Sequence, residues 1–198
     1  MKVMHRPLTM WLLATVASAS VQAVSNDAGG PVIVVVLHNY AEIARRILEH
    51  AALEITRDYK KLGIDVRWMT PPVELDRPGD SANETPVATL HVRMFERDIR
   101  DRVSNGVIGI DAPEPAGGLV TVAHVLYQPL DDESTSAFAL AYVIARLMAN
   151  IAMTLDGSRP STIIRGGPTE AHRLQRGESP FTSEEADRIQ AGLRAGRR

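Results

Sequence analysis

Among its 198 residues the chain has no cysteine. That absence excludes a disulfide-stapled scaffold, lipid attachment through an N-terminal Cys, and thiol catalysis. The core must therefore hold the domain unaided. Net charge is small as well, formally −2 and with no basic stripe, so nucleic acid is not an expected partner. There is no GxSxG elbow, no SxxK pair and no Gly-rich phosphate loop. Gly29-Gly30 and Gly117-Gly118 read as turns. Internal repeats and low-complexity tracts are missing as well.

What is present is ordinary for a globular chain, with 44% apolar and 23% charged residues. The length allows one domain with a single substantial core. Residues 1–23 read as a signal peptide: Lys2 and Arg6 are basic, 8–16 (LTMWLLATV) is a short apolar run, and Val21-Gln22-Ala23 supplies a cleavage site. The run falls short of the ~20 residues needed to span a bilayer. Export to the periplasm or beyond is thus expected, without stable membrane insertion after cleavage. Residues 24–30 form a polar linker, and 31–198 form the single domain.

Within that domain, 32–37 (VIVVVL) is a β-branched run suited to a central strand covered on both faces. Helical spacing of Ala44, Ile47, Leu48, Ala51, Ile55, Tyr59 and Leu62 predicts a long helix over 41–62, closed by Gly63. Ile64, Val66 and Trp68 alternate with polar residues, predicting a strand and with it a βαβ crossover. Residues 70–86, with four Pro, read as a loop. Further strands are expected at 87–94, 107–110 and 119–126, with a helical turn at 96–105. The Asp131-Asp132-Glu133 and Ser134-Thr135-Ser136 runs suit a helix N-terminus. From there to about Thr154 the chain is apolar almost all the way round, so this helix is buried. A loop to Pro168, a short helix at 169–176 and a capping box at Thr182-Ser183-Glu184-Glu185 follow, the last opening a terminal helix.

This order resembles a minimal zincin, and in particular small exported bacterial zincin-like proteins. The resemblance rests on short pieces in sequence: 32–41 (VIVVVLHNYA), a "GI-V-W" pattern at Gly63, Ile64, Val66 and Trp68, and an "FT-E-A" helix start at Phe181-Thr182 and Glu185-Ala186. It implies an α/β (α+β) fold: a mixed twisted sheet, a long N-terminal crossover helix, a buried former active-site helix and a C-terminal helix. In that group the buried helix carries "V-I-A-H-E-x-G-H", and a third His follows in an "H-S-P-T-G-I-M-R" loop. Val143-Ile144-Ala145 matches the lead-in, and Pro160, Ile163 and Arg165 match the loop. The ligand positions fall on Arg146, Asn150 and Ser158, and the general base on Leu147. Guanidinium has no lone pair to give a metal, an amide oxygen is a poor zinc ligand, and Leu takes no proton from water. The expectation is therefore a degenerate member with no metal, no cofactor and no catalysis.

Arg146 and Asn150 share one face of the helix, four residues apart. A charge inside an apolar helix must reach water or a partner. Arg146 is expected to face the former cleft beside Asn150, where the two would bind a ligand; the alternative is a pair with an internal carboxylate. His38, His91 and His124 lie in or beside expected strands and converge only if the sheet brings them together; satisfied structural His is the simpler expectation. His50 is expected on the exposed side of the first helix and His172 near the cleft. Asp76, Asp80, Asp131 and Asp132 read as solvated loop acids, and the basic tail of Arg194, Arg197 and Arg198 is too short to define a partner. The leading functional expectation is a non-catalytic exported protein binding a peptide, protein or small ligand at the former cleft. Two alternatives stand beside it: an enzyme of non-zinc chemistry using Arg146 with His124 or His172, and a purely structural envelope protein.

Overall fold

The computed structural model describes residues 30–69, 86–97, 106–112, 120–154 and 163–195. The expected signal peptide, the loop at 70–85, the turn over 98–105, Gly117-Gly118, Ser158 and the last basic residues, Arg197 and Arg198, lie outside them. The described chain is mixed α/β. Its elements are β1 (Val32–Asn39), α1 (Arg45–Lys61), β2 (Asp65–Met69), β3 (Ala88–Glu96), β4 (Val107–Ala112), β5 (Val120–Tyr127), α2 (Glu133–Thr154), β6 (Ile163–Gly166), α3 (Pro168–Gln175) and α4 (Ser183–Ala195). The strands form one sheet in the order β2-β1-β3-β5-β4-β6. β2, β1, β3 and β5 run parallel, while β4 is antiparallel to both β5 and β6.

Strand parity decides which face is core. Ile33, Val35 and Leu37 of β1 and Leu90, Val92 and Met94 of β3 are buried on the face that α1 and α2 cover. On the opposite face, which the described helices leave uncovered, Val34 and Val36 are half-buried. The β-branched run is thus central in the sheet, yet the described helices cover only one side of it.

Local chemistry sets the helix ends. α1 begins four residues later than the periodicity predicts. The Asn39 side chain closes a turn by accepting from Ile43 N–H and donating to Ile43 C=O, both at 2.9 Å. At the other end Gly63, at φ 70°, allows Gly63 N–H to reach Lys60 C=O and Ile64 N–H to reach Tyr59 C=O, the paired closure expected of a left-handed C-terminal residue. α2 is capped by Asp132 rather than by a hydroxyl. Its carboxylate accepts from Thr135 N–H at 2.7 Å and from the Thr135 hydroxyl at 2.6 Å. The capping box of α4 forms as read, with Thr182 N–H donating to Glu185 Oε2 and Glu185 N–H donating to Thr182 Oγ1.

α2 is apolar all round because it has neighbours all round: α1, α3, α4, β4 and β6 pack against it. It is long and apolar enough to cross a membrane, yet 83% of its most apolar window is buried within the fold, as befits a core helix. Close approach depends on small residues. A Cβ at Gly109 would lie 2.6 Å from Val143 Cγ1, and one at Gly192 would lie 1.9 Å from the Ala152 carbonyl oxygen. Gly109 thus lets α2 settle onto β4, and Gly192 lets α4 cross α2.

Candidate functional site

The motif positions of α2 meet different surroundings. Arg146 points toward α4, and its Nη1 donates to Glu185 Oε1 at 2.7 Å and lies 3.5 Å from the Pro180 carbonyl. The two side chains are 21% and 24% exposed, so the pair sits at the solvent margin rather than sealed in the core. Of the two arrangements open to Arg146, this is the carboxylate pair. Its partner is the same Glu185 that caps α4, so a single carboxylate joins the start of one helix to the middle of another. Burial works to raise the Glu185 pKa, but Thr182 N–H and the Arg146 guanidinium outweigh it and hold the carboxyl below its ordinary value.

Leu147 is buried and packs over Gly109 of β4. Asn150 is buried, at 2% exposure. Next to Arg146, the Tyr59 hydroxyl donates to the Ala145 carbonyl at 2.8 Å, and its ring meets Phe181 edge-on at 5.4 Å. Burial drives the Tyr59 pKa well up, opposed in part by Arg146. The zinc that a zincin resemblance implies does not fit these side chains. One position is a guanidinium engaged with a carboxylate, one an apolar side chain under the sheet, and one a neutral amide. Among the described residues, no group of three or more His, Asp and Glu converges on a common point.

The histidines distribute differently from the expectation. His50 keeps 38% of its side chain exposed on α1 and also meets Phe138 of α2, edge to face at 4.8 Å. His172 is exposed on α3. His38, His91 and His124 all lie on the sheet face turned away from α1 and α2, so the sheet itself separates His124 from Arg146. Two of these three meet: His38 Nε2 and His91 Nδ1 are 3.3 Å apart. Sequence reasoning did not find this contact. The outward parity of each His was readable within its own strand, whereas their meeting depends on the inter-strand register, which pairs Val36 with His91 and His38 with Arg93.

An aromatic row continues from there. Tyr40 stacks on Phe95 with centroids 5.3 Å apart, and Phe95 leans on His124 at 5.8 Å. Burial, His91 and Arg93 together lower the His38 pKa. Chemically, this face offers imidazole donors and acceptors, an arginine and exposed ring surface, whereas the α2 positions offer one arginine already engaged. Comparison with protein-family models, curated proteins and solved structures finds no match to this chain.

Proposed function

We propose that the chain is a non-catalytic exported protein on a degenerate zincin scaffold, binding a peptide, protein or small ligand beside Arg146. The observation that carries this reading is the Arg146–Glu185 pair. At the position where the resembled family points a metal ligand, this chain has a cation bonded to the cap of α4. Support also comes from the order of elements, a βαβ start, further strands, a buried helix and a terminal helix. Leu147, packed against Gly109, has no means of activating water. Arg146 keeps about a fifth of its surface open, and its remaining N–H donors suit a carboxylate or a backbone carbonyl of a partner.

The test is elemental analysis of purified protein together with N-terminal sequencing of exported material. The reading expects no zinc bound through Arg146 and Asn150 and a mature chain starting at Val24. One tightly held zinc per chain, lost on Arg146→Ala or Asn150→Ala, would overturn it, as would Met1 retained in a membrane fraction. The burial of Asn150 and the Arg146–Glu185 tie also favour a second reading, a purely structural protein. The two separate on Arg146→Met: a binding protein loses affinity for an acidic partner, whereas a structural one loses only stability. The remaining alternative, an enzyme using Arg146 with His124 or His172, draws no support from His124, which lies on the opposite face of the sheet.

A further inference from the structure

On the sheet face away from the helices, His38, Arg93 and His124 stand in register on three neighbouring parallel strands, β1, β3 and β5. Arg93 is exposed and forms no ion pair with any described residue. Neither β1 nor β5 contains an acidic residue, and the one acid of β3, Glu96, has the opposite parity. This part of the face is therefore cationic among the described residues, although the chain as a whole is slightly acidic. Beside it stand Tyr40, 60% exposed, and Phe95, 37% exposed, stacked on each other at 18°.

The two histidines add a specific piece of chemistry. Their ring centroids are 5.6 Å apart and their planes differ by only 17°. That centroid separation exceeds the 3.3 Å between Nε2 of His38 and Nδ1 of His91 by little more than two imidazole radii. The nitrogens therefore face each other head-on in nearly coplanar rings. Such a geometry suits one N–H···N bond and does not suit chelation, because both lone pairs point along the line between the rings. One neutral ring donates and the other accepts. In either tautomer, one outer nitrogen carries a proton and the other does not. A single added proton gives both outer nitrogens an N–H and leaves the shared bond intact. A second added proton would set N–H against N–H.

We propose that His38, Arg93 and His124, with the ring ledge of Tyr40 and Phe95, bind an oxyanion carried on a flat aromatic group. Arg93 supplies the permanent charge and the forked N–H donors that match an oxyanion. His38 turns its outer Nδ1–H to the anion, in the tautomer whose shared proton sits on His91 Nδ1. The exposed ring surface of Tyr40, which also lies near-parallel to the His38 ring at 6.2 Å, packs on the planar group. The charged and titratable groups facing the site are Tyr40 from β1's end, His91 and Arg93 from β3, and His124 from β5; farther along the same face, Asp65 and Arg67 of β2 pair in register with Val32 and Val34, six and four residues before His38.

The experiment is NMR and calorimetric titration of the purified protein with phenyl phosphate, inorganic phosphate and phenol. Phenyl phosphate is expected to bind more tightly than either fragment, and Arg93→Met to weaken it about tenfold or more, as loss of a charge-assisted contact requires. Tyr40→Ser is expected to bring phenyl phosphate down to the affinity of inorganic phosphate. The imidazole signals of His38 and His124 should move on addition of phenyl phosphate at fixed pH, while those of His50 and His172 do not. Circular dichroism of each variant, unchanged from the parent, ties the losses to binding rather than to unfolding. Absence of saturable binding, binding indifferent to Arg93→Met, or equal affinity for inorganic phosphate and phenyl phosphate in the parent would each overturn the proposal. So would saturable binding of zinc or copper alone at His38 and His91 with no response to phenyl phosphate.

Discussion

A charged residue in a core helix is stable only through what it touches, and Arg146 touches one carboxylate. Because Glu185 keeps its bond from Thr182 N–H and about a quarter of its surface in water, losing the arginine does not strand a buried charge. Arg146→Met should cost about 1–2 kcal/mol in chemical denaturation, between a surface pair and a sealed one. A loss of about 3–5 kcal/mol would instead mark a fully buried ion pair. The pH dependence follows from the depressed Glu185 carboxyl. A lowered folded pKa stabilises the fold above the ordinary carboxyl range, and that contribution disappears as pH falls through the folded value. Glu185→Gln should therefore be less stable than the parent at neutral pH, with the difference closing under acid. Parallel denaturation curves at neutral and acid pH check this, and a gap that widens toward acid would contradict the assignment.

Elements here are set by contacts between helices as much as by their own periodicity. Where α4 crosses α2, Gly192 lies so close to the Ala152 carbonyl that a methyl group has no room. Gly192→Ala should destabilise by about 1–3 kcal/mol or more through overpacking, read as a lower denaturation midpoint, while helix propensity alone would favour Ala. Asp132→Ala should lower the denaturation midpoint through loss of the α2 cap. The sequence made some of this legible and not the rest. α1 declares itself by spacing, but its start is displaced by the Asn39 side chain, a turn that periodicity does not detect. The burial of α2 was readable from its composition, whereas the identity of its neighbours was not. β6 went unread because four residues give no measurable alternation; only the adjacent pair Ile163-Ile164 hinted at a strand. The replaced motif positions were readable one by one. That Arg146 would find the α4 cap, and that His38 would find His91, depended on tertiary packing and register, which no single stretch encodes.

At the scale of the whole molecule, the fold is a sheet with its described helices stacked on one side and α2 enclosed between the sheet and the other three. Such an arrangement sets an order of local stability. β3 lies between β1 and β5 and makes parallel ladders on both sides, so its amides open only when the sheet comes apart. α2 cannot unwind without exposing the side chains that α1, α3 and α4 bury against it. Among the described residues, β6, by contrast, is a four-residue edge strand paired only with β4, and β2 is the opposite edge, paired only with β1. Native-state hydrogen exchange should therefore place β3 and the middle of α2 in the slowest class, exchanging with the free energy of global unfolding. β6 and β2 should exchange through smaller openings, less sensitive to denaturant. Gly192→Ala offers a direct check on the coupling, because loosening α4 should speed exchange in α4 and in the α2 turns around Ala152 before it reaches β3. Equal acceleration at all sites would show that α4 and the sheet unfold as one unit. Faster exchange in β3 than in β6 would contradict the sheet order itself.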